Sequence, residues 1–286
     1  MSPGIDGPAE PPEWSSIPVG ATSTRLLQAG PHQASEAVVF IHGNPGSASD
    51  WTGLVEEAGR LGRAVAFDLP DFGRSVAEPG FTNTVDEYAG FVGDALETLG
   101  ITSARLVLHD FGGPIGLTWA AANTERVSGV ILIDTGVLLD YKWHRMARIW
   151  QTPGLGGMIN AAITRPVFRR LITGPEPRGL PPEFVDEMYA NLDRRTKAAV
   201  LRLYRDSKKI GETSKSLVAP LAAADIPAMV IWGDSDAYLP TSLAERQKDA
   251  FPSAEVHVLP GSGHWPFIDD PATVNRLLTE FLHATG

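Results

Sequence analysis

Cysteine is absent from the 286-residue sequence, which excludes disulfide bonds, thiolate nucleophiles and cysteine-ligated metal centres. The sequence also lacks any apolar run of about 18 residues, the length that a membrane-spanning helix requires, so we expect no membrane partner. Basic residues are outnumbered, because 24 Lys and Arg against 34 Asp and Glu give a net charge of −10. This balance argues against a nucleic acid as partner.

The N-terminal segment has neither the basic nor the apolar region of a secretion signal, so we expect a cytoplasmic protein. Pro, Gly and Glu are frequent in residues 1–20, a composition that predicts a mobile arm. The remaining length, with 43% hydrophobic residues overall, is sufficient for one large domain with an insertion. No pattern in the sequence specifies an oligomeric state.

Short apolar segments alternate with longer amphipathic ones, which predicts an α/β fold with a mostly parallel sheet covered by helices on both faces. Six strands are predicted, at residues 37–41, 64–67, 104–108, 127–133, 228–232 and 255–259. Helices are predicted around them at residues 51–61, 85–99, 113–123, 242–250 and 272–283.

Between residues 133 and 228 the alternation stops, and helical periodicity takes over. Helices are predicted there at residues 141–150, 156–163, 182–192 and 195–206. We interpret this stretch as an inserted helical cap. The predicted organisation is a core of residues 21–136 and 223–286 with a cap at residues 137–222.

The segment LVLHDFGGPIG, residues 106–116, is the most informative part of the chain. Its strand-like start, tight turn and helix-like end have the context of a nucleophile elbow, with Asp110 where a serine is usual. A serine there predicts acyl transfer. An aspartate predicts that a carboxylate attacks carbon and forms an ester, which water must then cleave.

A hydrolytic site also needs an oxyanion site, a base and a group that orients the base. The turn HGNP follows a predicted strand, and we expect the backbone N–H groups of Asn44 and Phe111 to converge on the developing oxyanion. His42 is predicted to brace this turn. His264, in the flexible turn GSGHWP after the last strand, is the predicted general base.

Two carboxylates are candidates for orienting His264. Asp236 lies in WGDSDAYLP after one predicted strand, and Asp134 lies in ILIDTG after another. Because the carboxyl ends of parallel strands meet at one edge of a sheet, either side chain can reach the site. The other of the two is predicted to cap a turn or a strand end.

Five motifs occur in order: HGNP, DLPDFGRS, HDFGG, WG through Pro240, and GHW. From about residue 37 onward the chain resembles the α/β-hydrolase superfamily, and within it the branch with an aspartate nucleophile, the epoxide hydrolases and haloalkane dehalogenases. The resemblance implies a covalent alkyl-enzyme mechanism that acts on a small molecule and water, with neither a metal nor a cofactor.

The two subfamilies imply different roles for individual residues. Haloalkane dehalogenases similarly carry an asparagine at the position of Asn44, whose side chain helps to hold the departing halide. They place a tryptophan directly after the nucleophile, where this chain has Phe111, whose ring carries no N–H donor. The resemblance therefore implies slow halide departure.

Epoxide hydrolases supply a proton donor from tyrosines of the cap. Tyr204, in LRLYRD, resembles the second of these tyrosines, whereas Met146 stands where the first is expected. Tyr141 or Tyr189 is an alternative for the missing partner. Tyr204 has a second interpretation, as a residue that packs the cap on the sheet.

An apolar pocket is expected beside Asp110, lined by Phe111 and Trp265. Other large residues nearby in the sequence are assigned to the core: Trp143, Met146, Trp150 and Phe267. The first functional hypothesis is epoxide hydrolysis, and the second is dehalogenation of haloalkanes. A third hypothesis is a non-catalytic binding protein of the same fold.

Overall fold

The structure, a computed structural model, describes residues 11–286. Within these residues, eight strands form one sheet in the order β1-β2-β4-β3-β5-β6-β7-β8. The strands are β1 (Glu13–Val19), β2 (Thr22–Ala29), β3 (Glu36–Ile41), β4 (Ala64–Phe67), β5 (Ser103–His109), β6 (Val127–Ile133), β7 (Ala228–Gly233) and β8 (Glu255–Leu259). β1 and β2 run antiparallel to their neighbours, and the strands from β3 to β8 pair in parallel.

Helices pack on both faces of this sheet, and each face carries its own cluster of buried apolar residues. The helices of the described part are α1 (Thr52–Gly59), α2 (Val85–Thr98), α3 (Gly112–Ala122), α4 (Arg145–Trp150), α5 (Leu155–Ala161), α6 (Arg165–Thr173), α7 (Pro182–Asn191), α8 (Arg194–Asp206), α9 (Ile210–Ala224), α10 (Pro266–Asp269) and α11 (Pro271–Ala284). The predicted α/β-hydrolase architecture is confirmed.

Helices α4 to α9 lie between β6 and β7, and we call them the inserted helices. Of these, α6 and α9 were not predicted. A proline, Pro220, lies inside α9 and interrupts its sequence pattern. The helix ends at Ala224, two residues beyond the expected cap boundary at residue 222.

The expected arm needs a correction. Residues 1–10 lie outside the described part of the chain, but residues 13–19 form β1, which pairs with β2 along its whole length. Neither strand was predicted. β1 is an exposed edge strand of polar character and offers no apolar run, and the first four residues of β2 are polar. The predicted helix at 242–250 is also wrong, since two 3₁₀ helices, Thr241–Leu243 and Glu245–Asp249, replace it.

The parallel order brings the turns that follow β3, β5, β6, β7 and β8 to one edge of the sheet. β3 lies directly beside β5, so the turn bearing Asn44 lies next to the turn bearing Asp110. Among residues 11–286, none of the helices combines the length and apolar composition needed to cross a bilayer.

Trp51 fills the space between the sheet and α10, with its ring centroid 5.4 Å from Phe40 and 5.0 Å from Phe267. We expect Trp51→Ala to lower the free energy of unfolding by about 3–5 kcal/mol, because it leaves a cavity in the core. Trp14→Ala is the matched control. That ring is 39% exposed and only stacks on the Arg25 guanidinium, so its loss is expected to cost about 1 kcal/mol or less. Urea unfolding of the two variants measures the difference, and equal losses would contradict this packing.

Candidate active site

Asp110 occupies the sharp bend between β5 and α3, with a backbone φ of 48°. This left-handed conformation is unfavourable for a residue with a side chain. Three glycines make room for it. A Cβ on Gly43 would collide with the Asp110 side chain, one on Gly112 with the carbonyl of Ile41, and one on Gly113 with Thr135.

The carboxylate of Asp110 is held from the β3 side. The N–H of Asn44 donates a hydrogen bond to Asp110 Oδ1 at 2.7 Å. The expected second donor is the N–H of Phe111, which, in the described part of the chain, makes no hydrogen bond to the Asp110 carboxylate. This carboxylate points toward the turn after β3, where the Asn44 N–H binds it. The Asp110 side chain is 15% exposed, so it remains open to a ligand.

His42 connects the turn after β3 with the turn after β4. Its Nε2 accepts a hydrogen bond from the N–H of Leu69 at 3.0 Å, and its Nδ1 lies 2.9 Å from the Gly43 carbonyl. Burial lowers the pKa of His42, so the imidazole is neutral. This geometry fixes the turn that presents the Asn44 N–H.

His264 lies between two carboxylates. Its Nδ1 is 2.8 Å from Asp236 Oδ2, and its Nε2 is 3.4 Å from Asp110 Oδ2. Burial lowers the pKa of His264, but the charges of Asp236 and Asp110 and their hydrogen bonds outweigh burial and raise it well above its usual value. The imidazole therefore carries a proton at neutral pH.

Asp134, the other candidate for orienting His264, has a different environment. Its Oδ1 accepts a hydrogen bond from the Gly233 N–H at 3.0 Å, and the side chain makes no hydrogen bond to His264. Burial and the neighbouring charge of Asp236 raise the pKa of Asp134 well above its usual value. The structure thus pairs His264 with Asp236, while Asp134 lies beside them and is bound to the backbone of Gly233.

A cavity of about 220 Å³ opens beside Asp110 and His264. Tyr204, on α8, is buried in its wall, with its ring centroid 5.0 Å from Phe111 and 4.9 Å from Trp150. Burial and the charge of Asp110 raise the pKa of Tyr204 well above its usual value. The phenol is therefore protonated and can act as a donor beside the carboxylate.

The alternative tyrosines differ in position. Tyr141 lines the cavity, but its hydroxyl donates to the carbonyl of Tyr238 at 3.0 Å. Tyr189 packs against Phe168 and is not part of the cavity wall. Met146 lies in the wall, where the resemblance implies the first tyrosine.

Sequence reasoning missed Tyr238, whose ring centroid is 5.0 Å from that of His264. The sequence feature that could have indicated Tyr238 is its position two residues after Asp236. The Oδ1 of Asp236 accepts a hydrogen bond from the Tyr238 N–H at 2.7 Å. His144, also in the wall, was assigned only to the cap. Burial lowers its pKa to about 4, so it is neutral.

Several large residues assigned to the core line the cavity instead. Trp143, Met146 and Trp150 are in the wall together with Phe111 and Trp265, whereas Phe267 packs in the core against Trp51. The assignment of the first three was wrong, because helical periodicity does not tell a core face from a cavity face. The indole N–H groups of Trp150 and Trp265 are buried without a hydrogen-bond partner in the described residues. Such donors favour a ligand that can accept from them.

Two further residues hold the backbone of His264. His109 Nε2 donates to the His264 carbonyl at 2.7 Å, and burial lowers the pKa of His109 to about 3. Glu176, from the turn between α6 and α7, accepts the N–H of His264 at 3.1 Å. Burial raises the pKa of Glu176 to about 7. Residues 11–286 contain no cluster of three or more His, Cys, Asp or Glu arranged as a metal site.

A family model described as alpha/beta hydrolase fold matches residues 36–271. An uncharacterized protein of Mycobacterium tuberculosis is 26% identical and covers 91% of this chain and 78% of its own length. A 2-hydroxy-6-oxononadienedioate/2-hydroxy-6-oxononatrienedioate hydrolase of Comamonas testosteroni is 25% identical over 86% of this chain and 87% of its own.

Solved structures of similar shape include two haloalkane dehalogenases. DatA from Agrobacterium tumefaciens superposes with a TM-score of 0.84 at 20% identity, over 97% of this chain and 98% of its own. DbeA from Bradyrhizobium elkani gives a TM-score of 0.84 at 23% identity, over 96% and 98%. At these identities the likeness establishes a shared fold.

The pairing of His264 with Asp236 is testable without a substrate. We expect Asp236→Asn to lower the pKa of His264 strongly, because it removes the charge that contributes most to holding the proton. Asp134→Asn should change that pKa much less, since the Asp134 side chain binds the Gly233 N–H and makes no hydrogen bond to the imidazole. An NMR titration of the imidazole nitrogens measures both. A larger decrease in the Asp134 variant would contradict the assignment.

Proposed function

Because the chain belongs to the alpha/beta hydrolase fold family, we propose that it hydrolyses a small apolar epoxide through an ester on Asp110. The observation that supports this most directly is the arrangement of that carboxylate. One oxygen is held by the Asn44 N–H, and the other faces both His264 and the cavity. A carboxylate in this position is set up as a nucleophile rather than as a structural ion.

In the first half-reaction, Asp110 Oδ2 attacks a ring carbon and the bond between that carbon and the ring oxygen breaks. The electron pair moves to the oxygen, which takes the proton of the Tyr204 hydroxyl. A phenol in this role is a general acid, and packing against Phe111 and Trp150 holds Tyr204 in the wall of the cavity that Asp110 faces. The product of this step is a hydroxyalkyl ester and a tyrosinate.

Ester formation changes the charge next to His264. It removes one of the two negative charges that raise the pKa of the imidazole, so this pKa falls. The imidazolium then gives its proton to the tyrosinate. The neutral imidazole then takes a proton from water, and the hydroxide attacks the ester carbonyl. The resulting oxyanion, on Oδ1, faces the Asn44 N–H. Its collapse breaks the ester bond to Oδ2, and the departing alkoxide takes a proton from the imidazolium to give the diol. The proton of the new Asp110 carboxylic acid then passes to the imidazole, which restores the starting charges.

The composition of the cavity supports an uncharged substrate. None of the residues of the described chain that line it is Lys or Arg, and most are aliphatic or aromatic. The hydrolase of Comamonas testosteroni is named for a dienedioate. A dicarboxylate would lack a cationic partner here other than His264, so we do not propose that substrate.

We propose that the inserted helices act as a cap, residues 137–222, which closes over Asp110. They contribute Trp143, Trp150 and Tyr204 to the cavity wall, and Phe111 of the core stacks on Trp143 at 5.9 Å. A closed apolar wall excludes bulk water and so strengthens the hydrogen bonds made to the reacting oxygen.

Dehalogenation of haloalkanes is the second candidate function, and the unpartnered indole N–H groups support it. Phe111 provides no donor, but Trp150 and Trp265 each place an unpaired N–H in the wall. Either donor, together with the Asn44 side chain, can stabilise a departing halide. The nucleophile and base have the same roles in both candidates.

Removal of the base should trap the covalent intermediate. We expect His264→Gln to accumulate an ester, so that incubation with styrene oxide raises the intact mass of the protein by the mass of one substrate. Asp110→Asn is the control and should show no adduct. In H₂¹⁸O, the wild-type protein should carry label in the Asp110 carboxylate after one turnover. An equal adduct on both variants would show that the nucleophile lies elsewhere.

Two conservative substitutions separate the candidate functions. Tyr204→Phe removes only the proton donor, so we expect diol formation from styrene oxide to fall by about 10²-fold or more. Halide release from 1-bromobutane should barely change. Trp150→Phe keeps an aromatic ring but removes the indole N–H, and a fall in halide release with intact diol formation would instead favour dehalogenation. Steady-state assays of both variants with both substrates measure this.

A further inference from the structure

The loop that carries His264 is held at its backbone from two sides. Asp269, in α10, accepts the N–H of Gly263 at 2.7 Å, and Glu176, from the inserted helices, accepts the next N–H, that of His264, at 3.1 Å. Two successive N–H groups therefore bind carboxylates from different parts of the fold. The position of the imidazole depends on both contacts.

Glu176 belongs to the turn between α6 and α7, residues 174–180, which we call the latch turn. Arg178, in the same turn, donates to the carbonyl of Asp269 at 2.7 Å and to that of Pro260 at 3.0 Å. Three hydrogen bonds from one turn thus reach the segment before and after His264. The three contacts join residues 82, 88 and 91 positions apart in the chain, so they depend on how the inserted helices pack on the core.

The fit between the latch turn and the His264 loop is close. A Cβ on Gly263 would overlap the carboxylate of Glu176 and contact Pro177. Glu176 is buried although it is a carboxylate, and burial of such a group is costly without hydrogen-bond donors. Its Oε2 receives the His264 N–H, whereas its Oε1 has no hydrogen-bond partner in residues 11–286, so the His264 loop supplies the hydrogen bond that offsets part of this cost.

The latch turn also contacts the cavity. Pro175, next to Glu176, lines the cavity wall together with Leu171 and Ile172 at the end of α6. A molecule in the cavity therefore touches the segment that holds the base. Binding of a substrate and alignment of His264 involve the same turn.

We propose that Glu176 is a positioning residue through which the inserted helices align His264 for hydrolysis of the ester, an inference that rests on the proposed function. When the latch turn is seated, the imidazole lies between Asp110 and Asp236. When the turn is released, the loop loses its hydrogen bonds to Glu176 and Arg178, and the imidazole moves away from the ester. Attack by Asp110 does not use the imidazole as a base, so only the second half-reaction depends on the latch turn.

The test compares Glu176→Ala, Glu176→Gln and the control Glu183→Ala, an exposed residue at the start of α7. In rapid-quench single turnovers with styrene oxide, Glu176→Ala should form the ester at a rate within about twofold of wild type. Its hydrolysis should slow by about tenfold, because a small misplacement of a catalytic group is expensive. Glu176→Gln keeps an acceptor oxygen and should stay within about threefold, and Glu183→Ala should match wild type.

Hydrogen–deuterium exchange of residues 260–265 provides a readout that needs no substrate. We expect faster exchange at the His264 N–H in Glu176→Ala and unchanged exchange in Glu183→Ala. If Glu176→Ala does not fold, Arg178→Met replaces it, since that side chain is exposed. It should slow only ester hydrolysis, by about two- to fivefold, as expected for lost surface hydrogen bonds.

Equal slowing of both half-reactions, or unchanged exchange and unchanged hydrolysis in Glu176→Ala, would overturn the proposal. Absence of an ester on His264→Gln would overturn the proposed function instead, and the exchange experiment would still decide whether Glu176 holds the loop. The two failures are therefore distinguishable.

Discussion

The imidazolium of His264, placed between two carboxylates, is the interaction on which the site depends. Asp110 reaches it from the end of β5 and Asp236 from the turn after β7, while His264 itself follows β8. Buried charges are stable only when they are paired, and here one cation neutralises part of the charge of two anions. Asp134 lies beside this group, and burial together with the charge of Asp236 raises its pKa well above the usual value. One imidazolium between the two carboxylates leaves one net negative charge, and Asp110 faces the cavity.

The strained backbone at Asp110 is maintained by the packing around it. Asp110 has a positive φ because β5 must turn sharply into α3, and neighbouring glycines permit the close approach of β3. The same approach brings the Asn44 N–H to the carboxylate. The strained backbone, the Asn44 contact and the orientation of the Asp110 carboxylate thus have a common origin in the adjacency of β3 and β5. Tyr204, Trp150 and Trp265 line the same cavity, and the two indole N–H groups have no hydrogen-bond partner in residues 11–286.

Most of the parallel sheet was predictable, because β3 to β8 are short apolar runs whose ends are marked by turns. β1 and β2 were not, since β1 is a mostly exposed edge strand and β2 begins with the polar run Thr22–Arg25, so neither offers a clear apolar segment. The helix predicted at 242–250 failed for another reason. The amide of Gln247 binds both backbone polar groups of Val137, and such a tertiary contact leaves no periodic signal. Trp150 and Trp143 were likewise misassigned, because a cavity wall and a core have the same composition.

The local patterns of the chain were enough to single out Asp110 and His264 as candidate site residues, because each lies in a turn that follows a strand and needs no distant partner to be recognised. The alternation of strands and helices was enough to predict the parallel core. The carboxylate that pairs with His264 was decided by tertiary structure alone, since Asp134 and Asp236 have equivalent local patterns and differ in their distance from the imidazole. It likewise decided the place of Tyr204 and the contact of Glu176 with the His264 loop. Those contacts join residues far apart in the chain, and their energies depend on packing and dielectric environment, which no local pattern encodes.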